Sequence, residues 1–88
     1  MSVSSYEDIR TVAVGGTERV RVSEIVGIFD LDGKLTAPDT ADLLRAAEKA
    51  GKSRLAGDDL PKSFLLLRDG TVVFSVYAAA ILRERVNT

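Results

Sequence analysis

The stretch SFLLLRDGTVVFS, Ser63 to Ser75, constrains the fold of this chain more than any other. Two apolar runs flank Asp69-Gly70, a dipeptide suited to a two-residue type I′ turn because both central positions need positive φ. An antiparallel hairpin is predicted there. A second one is predicted near the start. Ile9, Thr11 and Ala13 alternate with Arg10, Val12 and Val14, Gly15-Gly16 breaks the run, and Arg19 to Val22 resumes the period of two. Val20 and Val22 then share one face of the hairpin, and Arg19 and Arg21 the other.

Between the hairpins, Ile25, Val26, Gly27, Ile28 and Phe29 are apolar on both faces, which predicts a strand buried inside the sheet. Asp30 to Lys34 ends it in a polar turn. Thr36, Pro38 and Asp39 mark a helix start, with a hydroxyl cap, a first-turn proline and a carboxylate near the positive dipole end. Leu43, Leu44, Ala47 and Ala50 recur at helical spacing until Gly51 stops the helix, with Arg45 and Lys49 near its negative end. Lys52 to Lys62 reads as a connector holding Gly57, Asp58, Asp59 and Pro61. Beyond the second hairpin, Ser75 can cap a short helix whose stripe is Ala78, Ile81, Leu82 and Val86, with Arg83, Glu84 and Arg85 toward water. The expected fold is therefore a small α+β domain. Its sheet is mainly antiparallel, two hairpins plus a buried strand, with one central and one C-terminal helix. Residues 1–8 form an N-terminal extension, which can be flexible, and residues 9–88 form a single domain.

Composition excludes much chemistry. With no histidine and no cysteine, the 88 residues supply no imidazole base, no thiol nucleophile, no disulfide and no N/S metal ligands. Neither a cofactor nor a metal is expected. At 6% aromatics and no Trp there are few platforms for stacking single-stranded nucleic acid. The 12 basic and 13 acidic side chains leave a net charge of -1, so a nucleic-acid partner would require positive charge concentrated on one face. The start MSVSSYEDIR has neither a cationic n-region nor an apolar h-region, and the longest apolar run, Val76 to Leu82, is far below the roughly 20 residues that span a bilayer. A cytoplasmic location without membrane contact is expected. A chain this short buries a lean core and often gains stability by self-association.

The run IFDLDGKL is similar to the phosphatase signature of the haloacid dehalogenase superfamily, with Asp30 as nucleophile, Asp32 as acid and base, and Gly57-Asp58-Asp59 as a partial acidic motif. That chemistry needs a parallel sheet with several right-handed crossovers, whereas one central helix is available here. The plainer reading is that Asp30 and Asp32 end a strand and populate a turn beside Gly33. An EF-hand loop starting at Asp30 fails, because its twelfth position falls at Ala41.

VAVGG near the start, VRVSEIVGIFDLD, PKSFLLLRDGTVVFS after the connector and a closing ILRERV occur in an order and at a spacing that resemble the small bacterial RemB (YaaB) proteins, from about Val12 to Val86. These are relatives of the RemA regulators of extracellular-matrix and biofilm genes. The resemblance implies a DNA-associated transcriptional regulator, assembled as a ring or other homo-oligomer whose basic edge DNA wraps, with a subunit fold likened to LytTR DNA-binding domains. Phosphate neutralisation depends on local basic density, so a ring of near-neutral subunits can still bind. At the positions where the RemA branch carries arginines, this chain has Glu24 and the segment Asp58, Asp59, Leu60, Pro61 and Lys62; a proline of the pattern is Val76 here. Carboxylates at phosphate-facing positions repel DNA, so either contact with DNA passes to another face or the chain does not bind DNA itself.

The candidate DNA-binding residues are Arg19 and Arg21 on the first hairpin and Lys52, Arg54 and Lys62 on the connector, with Arg83 and Arg85 at the end of the chain. The plainer reading of each arginine is a solvated charge that keeps a sheet edge from aggregating. Three functions are weighed. The first is a non-enzymatic RemA/RemB-type regulator binding duplex DNA through backbone phosphates. The second is an oligomeric protein-interaction module that leaves DNA to a basic paralogue. The third, remote, is a phosphatase-like enzyme using Asp30 and Asp32.

Overall fold

The structure is a computed structural model and describes residues 10–31 and 38–87. Thr36, Asp32 and the extension at residues 1–8 lie outside the described residues. The elements run β1 (Thr11–Gly15), β2 (Glu18–Arg21), a single 3-10 turn (Val22–Glu24), β3 (Ile25–Asp30), α1 (Pro38–Lys49), β4 (Ser53–Leu55), β5 (Ser63–Leu67), β6 (Val72–Ser75) and α2 (Ala79–Asn87). This is the expected α+β domain with two helices and mostly antiparallel sheets. β1 and β2 form a two-stranded sheet, and the other strands form a four-stranded sheet ordered β3-β5-β6-β4.

The alternation of side chains along β5 and β6 builds a core on both faces of the larger sheet. Leu65 and Val73 pack with Val12, Val14 and Val20 of the first hairpin and with Leu82 of α2. On the opposite face Phe64 and Val72 pack with Ala47, and Leu43 and Leu44 of α1 cover them. Phe64 stacks on Phe29 with ring centroids 5.0 Å apart and meets Phe74 at 6.2 Å. Three layers result: α1, the four-stranded sheet, then the first hairpin side by side with α2.

Helix α1 ends as its sequence directs. Gly51 takes φ +72, its N–H donates to the Glu48 carbonyl, and Lys52 N–H donates to the Ala47 carbonyl, which together make a Schellman stop.

Several expectations are corrected. The buried strand is β5, whereas β3, expected inside the sheet, is an edge strand with Val26 60% and Phe29 41% exposed. A bulge between Ile25 and Gly27 turns Val26 outward, and the absent Cβ of Gly27 leaves the space that the Phe29 ring occupies. The connector is not irregular throughout: β4 lies within it and pairs parallel to β6, joining Ser53 to Val72 and Leu55 to Phe74. The second hairpin closes through a three-residue loop rather than a type I′ turn. Gly70 N–H donates to Leu67 O and Leu67 N–H to Thr71 O, with Gly70 at φ +89. Ser75 belongs to β6 and does not cap α2 directly; its hydroxyl donates to Val14 O at 2.6 Å and accepts from Tyr77 N–H at 3.1 Å. The buried residues of α2 are Ala79 and Leu82, while Ile81 is 43% exposed; Ala50 lies just past the end of α1 and is exposed. Among the described residues no helix is long and apolar enough to cross a membrane.

Candidate nucleic-acid interface

The first hairpin pairs Thr11 with Arg21, Val12 with Val20 and Ala13 with Arg19. With the valines buried, period two forces Thr11, Ala13, Arg19 and Arg21 together onto the outer face, as expected for the two arginines. The bond from Val22 N–H to Arg10 O fixes the parity of the ladder. It aims the Thr11 and Ala13 carbonyls away from β2, at the free edge of β1.

Arginines occupy that edge. Arg19 donates from Nε to Thr11 Oγ1 at 2.8 Å and from a terminal nitrogen to Thr11 O at 3.3 Å. Arg85, arriving from α2, donates to Ala13 O at 3.3 Å, and its guanidinium lies 4.4 Å from the centre of the Tyr77 ring. Arg10 reaches the other way, to Val86 O at 3.3 Å. Thr11, Val12, Ala13, Arg19, Tyr77 and Arg85 line one shallow groove between β1 and α2. Two residues before Arg85, Arg83 donates to Ile28 O at 2.8 Å. The bond from Leu31 N–H to Lys62 O sets the parity of β3, so that the Ile28 carbonyl also faces a free edge. Helix α2 thus lies between two sheet edges and sends one arginine to each, which blunts both against unwanted pairing.

The connector candidates do not join this face. Lys52 Nζ donates to Asp69 O at 2.6 Å and so braces the β5–β6 loop. Arg54 pairs with Glu18 at 3.0 Å, tying β4 to β2. Lys62 is exposed and borders a small groove with Asp30, Leu31, Pro61 and Ala78. Asp58, with Glu18, lines the groove at the Gly15–Thr17 turn.

Asp30 serves the fold. Its carboxylate accepts from Ala79 N–H at 3.4 Å, at the start of α2, where a negative charge meets the positive dipole end. The described sheets hold one parallel pair, β4 with β6, not the succession of parallel crossovers that the haloacid dehalogenase chemistry requires. Among the described residues no cluster of three metal-ligating side chains occurs.

Among the described residues Asp69 is the acid with a perturbed pKa, held below its usual carboxylate range. The main cause is the Thr71 backbone N–H, which donates at 2.9 Å; the Thr71 hydroxyl and the Lys52 charge act in the same direction.

Alternation along the chain places Thr11, Arg19 and Arg21 on this face but gives no sign of Tyr77 as a further member. No local pattern announces it, because Tyr77 meets Arg85 only after α2 has folded back along β1. No family model matches the chain, and no curated protein is significantly similar to it.

Proposed function

We propose that this protein is a small, non-enzymatic, cytoplasmic transcriptional regulator of the RemA/RemB type that contacts duplex DNA through backbone phosphates as a homo-oligomer. The observation that carries the reading is the gathering of Arg19, Arg21 and Arg85 around the outer side of the β1–β2 hairpin. The Arg19 and Arg85 guanidinium groups, braced on backbone carbonyls, lose little further rotamer freedom when a phosphate arrives, and the charge of all three is always present. One such cluster on a chain of net charge -1 binds DNA weakly. Repetition of the cluster in adjoining copies multiplies the phosphates neutralised along one duplex. Exposed Leu60, Val26 and Leu55, at 86%, 60% and 59%, give such copies apolar surface to cover.

The test combines native mass with gel shifts at two salt concentrations. An oligomer that retards duplex DNA, loses affinity steeply with salt, and loses the shift in the Arg19→Glu/Arg21→Glu variant supports the reading. A monomer indifferent to DNA refutes it. A protein-interaction reading draws on a different feature, the loop Asp58-Asp59-Leu60, where two carboxylates precede a leucine that is 86% exposed. Charge reversal at Asp58 and Asp59 that removes a protein partner, with DNA retention never observed, would favour it.

A further inference from the structure

The geometry points to a seat for a single phosphate group in the groove between β1 and α2, gripped from two sides by Arg19 and Arg85. This rests on the proposed contact with DNA phosphates but makes a narrower claim about where one of them sits. Arg19 is anchored on the carbonyl of Thr11 and Arg85 on that of Ala13. Carbonyls two residues apart on a strand point the same way and are separated by about 6.8 Å. A tetrahedral oxyanion, accepting from each guanidinium at about 2.7 to 2.9 Å, bridges a gap of that order.

The two arms differ in how they are held. Arg19 uses Nε and one terminal nitrogen on Thr11, which fixes the plane of its guanidinium over the outer face of the hairpin. Arg85 is fixed by stacking on Tyr77 as well as by its bond to Ala13 O. Tyr77 is itself fixed through its backbone: its N–H donates to Ser75 Oγ, and its carbonyl accepts from Ser63 Oγ at 2.7 Å, both serines being buried. Tyr77 is thus a positioning residue, and the path from the sheet core to the Arg85 guanidinium is rigid. Arg21, on the same face but outside the groove lining, makes an auxiliary contact only.

The chemistry recognised is a phosphate oxyanion, whether free or part of a nucleic-acid backbone, and two arms of one experiment separate the sources. In the first, inorganic phosphate is titrated into the full ¹⁵N-labelled chain at constant ionic strength. The expected result is saturable shifts at Thr11 and Ala13 amides and at the Arg19 and Arg85 Nε–H groups. Affinity should fall about tenfold or more in Arg19→Gln and in Arg85→Gln, and little in Arg21→Gln. Arg85→Lys, which keeps the charge and the fold but not the planar fork, should lie between. Absence of saturable shifts in the unmodified protein, or loss of binding in Arg21→Gln alone, overturns the seat. In the second arm the same variants meet duplex DNA. Phosphate binding without a DNA shift upholds the seat and refutes the DNA reading; a DNA shift unchanged by Arg85→Gln and Arg85→Lys, together with no saturable phosphate shifts in the first arm, refutes the seat and leaves the DNA reading standing.

Discussion

Gly15→Ala is expected to come close to unfolding this domain. Gly15 closes β1 at φ +147, in a backbone region that side chains other than hydrogen rarely enter. A Cβ there would lie 2.6 Å from the Ala56 carbonyl oxygen, 3.0 Å from its carbon and 3.2 Å from a Val76 methyl. The nearest obstacle is backbone, so no rotamer change relieves it. Backbone strain costs about 1 to 3 kcal/mol, and forcing a methyl into packed space costs about 1 to 3 more. The sum, about 2 to 6 kcal/mol, is a large part of the roughly 5 kcal/mol expected of a small domain. Gly51→Ala is the control. Its φ is +72 and no atom lies within 4 Å of the added Cβ, so strain of about 1 to 2 kcal/mol is the whole cost. Urea unfolding of both variants, followed by far-UV circular dichroism, compares their midpoints at equal slope. Equal losses would show that the first hairpin is not clamped against Ala56, and that the hairpin does not pack on the larger sheet as described.

The other expectations concern the core, a buried hydroxyl and a turn. Phe64→Ala, at the centre of the α1 face and 1% exposed, should cost about 3 to 5 kcal/mol, whereas Leu44→Ala, half-buried, should fall near the bottom of the roughly 2 to 5 kcal/mol range; chemical denaturation ranks them. Ser75→Ala should cost about 1 to 3 kcal/mol, because the buried Val14 carbonyl loses its donor, and Ser75→Thr should restore part of it in a thermal melt. Asp69, whose folded pKa is held below the usual carboxylate value by the Thr71 backbone N–H, contributes stability above its unfolded pKa and loses it as pH falls through the folded value. The stability difference between the unmodified protein and Asp69→Asn should therefore be present near neutrality and shrink in strong acid; a difference independent of pH in paired urea titrations would remove the Asp69–Thr71 contact as its cause.

Signals within a few residues of one another were legible in the chain. Gly15-Gly16 and Asp69-Gly70 announced two hairpins, and alternation around Val20 put Arg19 and Arg21 outward. Gly51 announced the end of α1. Each is a local property: a turn dihedral, a period of two or a helix stop is decided by neighbouring residues alone.

Which apolar strand lies inside the sheet was decided only by tertiary pairing. IVGIF and SFLLL are both strongly apolar, and β5 is central because β6 and β3 both pair with it, while β3 finds a partner on one side only. The same cause hid β4, three residues of SRL that become a strand by lying beside β6. It also hid the groove where Arg19 and Arg85, 66 positions apart, share a wall of β1. Their meeting depends on α2 packing back between two sheet edges, a long-range event that sequence periodicity does not encode.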